Sequence, residues 1–488
     1  MSNIVPIQSH FRPLLKPVLG NVDYLELKRQ LERIDEILRV SGVEKAFVQS
    51  SLNYWTQTNN CVLEKIKTRS RIRFQKHSKQ ALRCNVARVL MGKSVRDFSV
   101  DLAAMPLLQW FCEMDQWGVI RVASKSSIDR YSRWLPEEMM RSVIAGLLRP
   151  EQDLGLEKPL DLESYFLDTT CVKANIHFPV DWVLLRDGVR TLMKGMILIR
   201  KEGLKRRMEE PELFLRRMNR LAIEMTHTRR KKDARREKKR VLRCMKKLMR
   251  VVEGHGRRYR DLLDQSWEET KWTRPQVNQI LRRIDGVLER LPEAMRQAHE
   301  RIIGERLVLS KDKILSLYEA EANVIVRGKA GSEVEFGNTL LLGETRDGLI
   351  VDWRLWKESA PADARMLKES LERVKGLGME IKEVGGDRGF DSEENRGYLV
   401  KEKIYNGICF RNVDVLRREM KEDQFAELQG RRSQTEGRIG IFKNNFLGRP
   451  LRVKGFKNRC LSVTWAVLTH NLWVLARLPQ EQTASKAG

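Results

Sequence analysis

Residues 379–392 read MEIKEVGGDRGFDS. The run up to Val384 has the make-up of a short strand, Gly385 and Gly386 close it, and Asp387 follows directly. Open α/β sheets hold their ligands at or beyond the carboxyl ends of strands. The stretch therefore predicts a sheet flanked by helices, with an acid at its working edge. Upstream, EANVIVRGKAG (321–331), VEFGNTLLLGET (334–345) and GLIVDWRLW (348–356) read as strands with Gly turns, and ADARMLKESLERVKGLG (362–378) as a helix. Downstream come a helix from Ser392 to Lys403, the strand NGICFR (406–411), a helix around Glu436 and a last one from Leu461 to Leu478. Strands that alternate with helices after an antiparallel start indicate a mixed α/β sheet.

The rest of the chain reads as helical. From Asp23 to Leu38 apolar residues recur at three and four positions, and between Lys65 and Arg96 the polar face is almost wholly cationic. Ser94 to Trp110 reads as one helix, and Ser124 caps a second, SKSSIDRYSRWL. This helix-turn-helix-like pair places Lys125 and Arg130 toward a DNA groove; a plain basic helical bundle is the alternative. Trp182 to Gly304 forms a second helical block. Within it, Arg229 to Arg250 carries 13 cations against two acids. Because Val241, Leu242, Met245, Leu248 and Met249 keep an apolar stripe, this tract reads as a helix lying across phosphates, with Arg229, Arg230, Lys231, Lys232, Arg235 and Arg236 among its contacts.

The chain has 488 residues, 92 Lys and Arg against 65 Asp and Glu, and a net charge of +27, a balance that points to a phosphate backbone as partner. Seven dispersed cysteines form no CxxC pair and read as reduced core thiols of a cytoplasmic protein. The apolar run 461–478 contains Thr464, His470, Asn471 and Arg477, so it reads as a buried amphipathic helix, and no membrane contact is expected. The expected organisation is a leader over 1–22, a helical DNA-binding domain over 23–155, a catalytic sheet domain over 156–180 and 305–478, a basic helical insertion over 181–304, and a disordered tail over 479–488.

Three acids stand out. Asp168 ends the strand-like SYFLDTT (164–170), Asp387 follows 219 residues later, and Glu436 lies another 49 residues on, within RRSQTEGRIGIFKNNF (431–446). Carboxylates from distant segments that meet at one point are suited to hold two hard divalent cations, Mg²⁺ or Mn²⁺, for phosphodiester chemistry. Arg432 and Lys443 project from the Glu436 face at helical spacing, where they would hold phosphate and offset carboxylate repulsion; Arg438 is a further phosphate contact on this helix. The bland alternative is a surface ion pair between Arg432 and Glu436. Asn175, His177 and Asp181 follow Asp168 closely; His177 reads as structural, with a metal or phosphate contact as the alternative, and Asp391 as part of the cap of the helix starting at Ser392. Trp267 and Trp272 read as core of the helical block, with stacking on an unpaired base at a DNA end as the alternative.

The blocks LDTT…ANIHFPVDW, VEFGNTLLLGE, GGDRGFDSEEN and RRSQTEGRIGIFKNNFLG resemble the DDE transposases of bacterial insertion sequences over roughly Ser94 to Leu478. The resemblance implies a ribonuclease H-like catalytic fold with a large all-helical insertion after the first strand, and Asp168, Asp387 and Glu436 as its metal-binding catalytic triad. Asp168 would lie on the first strand and Asp387 after the fourth. It implies cleavage at insertion-sequence terminal repeats, joining of the freed 3′-hydroxyl to target DNA, and a homodimer or larger assembly that holds two ends. Arg432, Glu436 and Lys443 match the family's Tyr, Arg, Glu, Lys helix signature, whereas Gln429 stands at the Tyr position. A nuclease of the same fold, or a DNA-binding protein without strand transfer, is the alternative.

Overall fold

The computed structural model describes residues 15–62, 67–114, 119–148, 154–228, 233–329, 332–448 and 450–480. The expected leader up to residue 14, most of the tail, and Arg229, Arg230, Lys231 and Lys232 lie outside them. Two compact units result: Met1–Val172, Thr339–Trp356 and Ala360–Gly488 form one, and Lys173–Asn338 with Lys357–Ser359 the other.

The first unit opens with α1 (Val22–Val40), α2 (Val43–Thr58), α3 (Thr68–Leu90), α4 (Val95–Ala104), α5 (Pro106–Phe111), α6 (Lys125–Tyr131) and α7 (Glu137–Ala145). The stretch read as one helix from Ser94 is two, because Pro106 forces Met105 into an extended conformation. Asn21 caps α1, and the apolar stripe Leu31, Ile34, Ile37 and Leu38 is buried. Arg83 of α3 is fully buried between Asp35 of α1 (2.5 Å) and Glu44 of α2 (2.6 Å), which holds its guanidinium charged. The last helix, α16 (Phe456–Leu475), is not amphipathic. Val463, Trp465, Leu468, His470, Asn471 and Leu472 point round its whole circumference and are all buried, so α16 is the axis on which the N-terminal helices and the sheet share one core.

The sheet has six strands: β1 (Ser164–Lys173), β2 (Asn323–Lys329), β3 (Ser332–Thr345), β4 (Ile350–Leu355), β5 (Glu383–Gly386) and β6 (Tyr405–Ile408). The order is β2-β3-β1-β5-β6, with β4 also paired to β3. β2, β3 and β4 pair antiparallel, and β1, β5 and β6 run parallel, so the sheet is mixed as expected. Its helices in this unit are α12 (Leu367–Gly376), α13 (Glu393–Lys401), α14 (Val413–Glu419) and α15 (Asp423–Ile441), the last running into a π-turn at Phe442–Leu447. Gly385 and Gly407 sit side by side in the β5–β6 register. A Cβ on Gly385 would stand 2.6 Å from the Phe166 ring, and one on Gly407 2.7 Å from Leu428 of α15, so the two glycines let the helix lie close on the sheet. The polypeptide after α16 is tied back at its start: Gln480 bridges Leu156, and Glu157 donates its amide to the Pro479 carbonyl.

The second unit packs α8 (Asp181–Lys201), α9 (Pro211–His227), α10 (Ala234–Gln265) and α11 (Arg274–Ile302) round their own core, and it also takes in β2 and the first half of β3. α10 buries Val241, Leu242, Met245, Met249, Val252 and Tyr259 on one side. On the other it exposes Arg236, Arg243, Lys247 and Arg250. Trp267 and Trp272 pack against this core. Of the seven thiols, all free, Cys244 is exposed on α10 rather than buried.

Candidate active site

β1 and β5 are neighbouring parallel strands in which Leu167 faces Gly386. One residue further along each chain stand Asp168, still within β1, and Asp387, just past the end of β5. Asp168 lies within β1 rather than at its end, since the strand continues to Lys173, and Asp387 follows the fifth strand in chain order. Residues alternate across a strand, so Phe166, Asp168 and Thr170 share one face of β1. α15 runs over that face. Arg431 stacks on the Phe166 ring at 4.7 Å, and Lys443, just past the helix, donates to Thr170 Oγ1 at 2.9 Å. Glu436 lies between these two anchors, so its carboxylate is carried over Asp168.

The electrostatics agree with that geometry. Burial pushes Asp168 up to about 7, and the negative charges of Asp387, Glu436 and Asp363 add to the shift against the opposing Thr169 amide. Asp168 Oδ1 accepts that amide at 2.6 Å, and Asp387 Oδ1 accepts the Gly389 amide at 2.8 Å, where it caps the turn Arg388–Phe390. Glu436 is exposed and makes no ion pair or hydrogen bond among the described residues, so the Arg432–Glu436 surface pair does not form. Also among the described residues, no three His, Cys, Asp or Glu side chains close on a single point as a ready ligand cage. The acids come from three elements, Asp387 and Glu436 act on Asp168 through their charge, and the exposed one is Glu436. An all-oxygen donor set with one strongly desolvated carboxylate suits a hard divalent cation.

One neighbour escaped the sequence reading. Asp363, in the turn that leads into α12, places Oδ2 2.6 Å from where a Gly389 Cβ would stand, and Asp387 Oδ1 lies 2.9 Å from the same point. Its only signal was an acid at the start of the helix after β4. α15 is itself pinned from below. Arg431 donates to Glu344 Oε1 (3.0 Å) and to the carbonyls of Thr345 and Arg346, and Thr435 donates to the same Glu344 oxygen at 2.9 Å.

The expected cations divide. Arg432 is half-buried one turn before Glu436, and its Nε has no hydrogen-bond partner among the described residues. Lys443 is buried at Thr170. Arg438 turns to the opposite side of α15, against Gly348 (φ +92°) of the β3–β4 turn, where it lines a 220 Å³ cleft with Asp347, Trp473 and Arg477. Gln429 binds the Gly407 carbonyl at 2.7 Å, inside the fold. Asp391 pairs with Arg396 and accepts the Arg411 amide, while Ser392 caps α13. Lys125 and Arg130 are exposed on α6. In the second unit, Asp181 is locked by Arg301 (2.9 Å) and Gln297, Asn175 and His177 are exposed, Arg235 pairs with Glu305, and Arg236 is exposed without an ion pair among the described residues. No helix of the described residues is long and apolar enough to cross a membrane. No protein-family model, curated protein or solved structure matches the chain.

Proposed function

We propose that the chain cuts and joins DNA in the manner of the DDE transposases it resembles, with the β1–β5 sheet as a ribonuclease H-like catalytic core. One observation carries this reading: Asp168 and Asp387 each follow the last paired rung of two neighbouring parallel strands, and Arg431 and Lys443 anchor the helix that carries Glu436 on the Asp168 face of β1. Asp168, Asp387 and Glu436 would hold Mg²⁺ or Mn²⁺. When bound, two such ions polarise the attacking oxygen and neutralise charge developing on the phosphate and the leaving oxygen. The chain's own groups do the rest. The Gly389 amide fixes one oxygen of Asp387 and the Thr169 amide one oxygen of Asp168. The Lys443 ammonium, held at Thr170 on the Asp168 face, offsets the repulsion among the acids. Arg432 stands beside Glu436 to meet a phosphate.

Hydrolysis of a terminal phosphodiester and attack of the freed 3′-hydroxyl on target DNA are both in-line displacements at phosphorus, so one site serves both steps. Holding two DNA ends calls for a homodimer or larger assembly. The test is Asp387→Asn assayed with labelled end DNA and Mg²⁺. Binding is expected to survive while cutting and joining vanish; a variant that still cuts would refute the metal assignment. Wild-type cutting without any joining would instead identify a nuclease built on the same acids.

A further inference from the structure

Three aromatic rings form a continuous stack on the N-terminal helices. Trp134, after α6, packs against the core, and its Nε1 donates to Ser78 at 3.1 Å. Phe74 of α3 stacks on Trp134 (centroids 5.4 Å, 25° between planes), and Trp55 of α2 stacks on Phe74 (4.7 Å, 18°). Phe74 and Trp55 belong to no core cluster among the described residues and are partly exposed, so the stack leads from the core outward to solvent. Tyr54 and Ile72 are exposed on the same two helices.

Cations crowd the start of the helix that carries Phe74. Arg69, Arg71 and Arg73 occupy the first two turns of α3, exposed and without an ion pair or hydrogen bond among the described residues. No acid lies in that first turn, and Lys67 at the cap position supplies no side-chain bond. Cations at a helix N-terminus oppose the helix dipole, so the arrangement costs stability unless an anion meets it. His77, whose Nδ1 sits 3.3 Å from the Tyr131 hydroxyl beside Trp134, reports the same convergence: after burial, the charges of Arg73, Lys76 and Arg130 hold its imidazole below its usual range.

We infer that the outer face of α2 and α3, with Trp55 as platform backed by Phe74 and with the cations Arg69, Arg71 and Arg73 of α3 beside it, docks an unpaired strand of nucleic acid. Aromatic faces accept any unstacked base, and the arginines complement the phosphates that run beside the bases. A paired duplex presents no free base to a ring. An apolar peptide would offer no counter-charge to these three guanidinium groups, which have no ion pair among the described residues. The face lies apart from the three acids in sequence and uses none of them. The inference rests on the nucleic-acid reading of this chain, supplying the strand that opening a DNA end would expose.

The experiment uses the full chain in EDTA, with fluorescence anisotropy of a labelled oligothymidylate and of a duplex of equal length. Trp55→Ala is expected to weaken the single strand about tenfold, in line with the loss of one stacking ring. Trp55→Phe should restore it, and duplex affinity should hold. Replacing Arg69, Arg71 and Arg73 by Gln should flatten the single-strand salt slope by about 2, at roughly 0.7 per phosphate contact. Trp55 lies outside the core, and an unchanged melting curve confirms that the variant folds. Unaltered single-strand binding by Trp55→Ala, equal loss on both DNAs, or Trp55-dependent binding to anionic phospholipid vesicles would each overturn the inference. If Asp387→Asn abolishes cutting while Trp55→Ala binds as wild type, this inference falls and the catalytic reading stands. The reverse pattern separates them the other way.

Discussion

Asp168, half-buried, and His470, buried, are titratable side chains whose shifts run in opposite directions, and each makes a stability prediction. Asp168 is pushed from the ordinary carboxylate range to about 7. The folded protein therefore holds a proton that the unfolded chain has already lost, so stability falls as pH rises from about 4 to about 7 in metal-free buffer. Asp168→Asn should be more stable than wild type at pH 7, by several kcal/mol at most given about 1.4 kcal/mol per pH unit, and no more stable at pH 4; denaturant midpoints at the two pH values check it. His470, buried on α16 against Phe442 and Phe446, is held down to about 4, chiefly by desolvation. Here the unfolded chain takes up the proton first, so stability falls as pH drops from 6.5 toward 4, by about 3 kcal/mol over that window. His470→Gln should flatten that fall relative to wild type in the same titration; an unchanged slope would show the imidazole to be solvated.

At the scale of elements, α15 decides whether the site assembles. Its position rests on the buried Arg431–Glu344 pair and on the two glycines that let it approach the sheet. Removing one partner of a buried ion pair strands the other, at a cost of about 3–5 kcal/mol. Arg431→Met should show that loss in chemical denaturation and, under conditions where it stays folded, should cut more slowly than wild type because Glu436 is no longer held over Asp168. Gly385→Val should be worse, since its side chain would meet the Phe166 ring and lift the helix. These supports were hard to read in advance. The acids at Asp387 and Glu436 announce themselves by a strand end and a helix face, but the partnership of Arg431 with Glu344, 87 positions apart, follows no local period. Asp363 was missed for the same reason: nothing near it in the chain points to Gly389. Pro106 was legible in principle, and its break between α4 and α5 is a local steric effect.

Over the whole molecule, charge carries the proposal of a nucleic-acid partner. On α10 the exposed cations Arg236, Arg243, Lys247 and Arg250 recur along one face while the apolar side is buried. Changing these four to Gln should weaken binding to every duplex and lower the salt slope by about 3.6, at roughly 0.9 per neutralised phosphate. A titration with an unaltered slope would remove α10 from the interface. Mixed α/β character, the antiparallel start, the parallel finish and the helical block were written locally, in periods of two and 3.6 residues and in glycine and proline punctuation, because those depend only on near neighbours. Which faces meet was not. That Asp168 sits within β1 and not at its end, that α16 is buried all round, and that Arg438 turns away from the acids toward Gly348 were decided by tertiary packing. Side-chain direction and burial depend on what the opposite element presents, and the chain's order alone does not specify that partner.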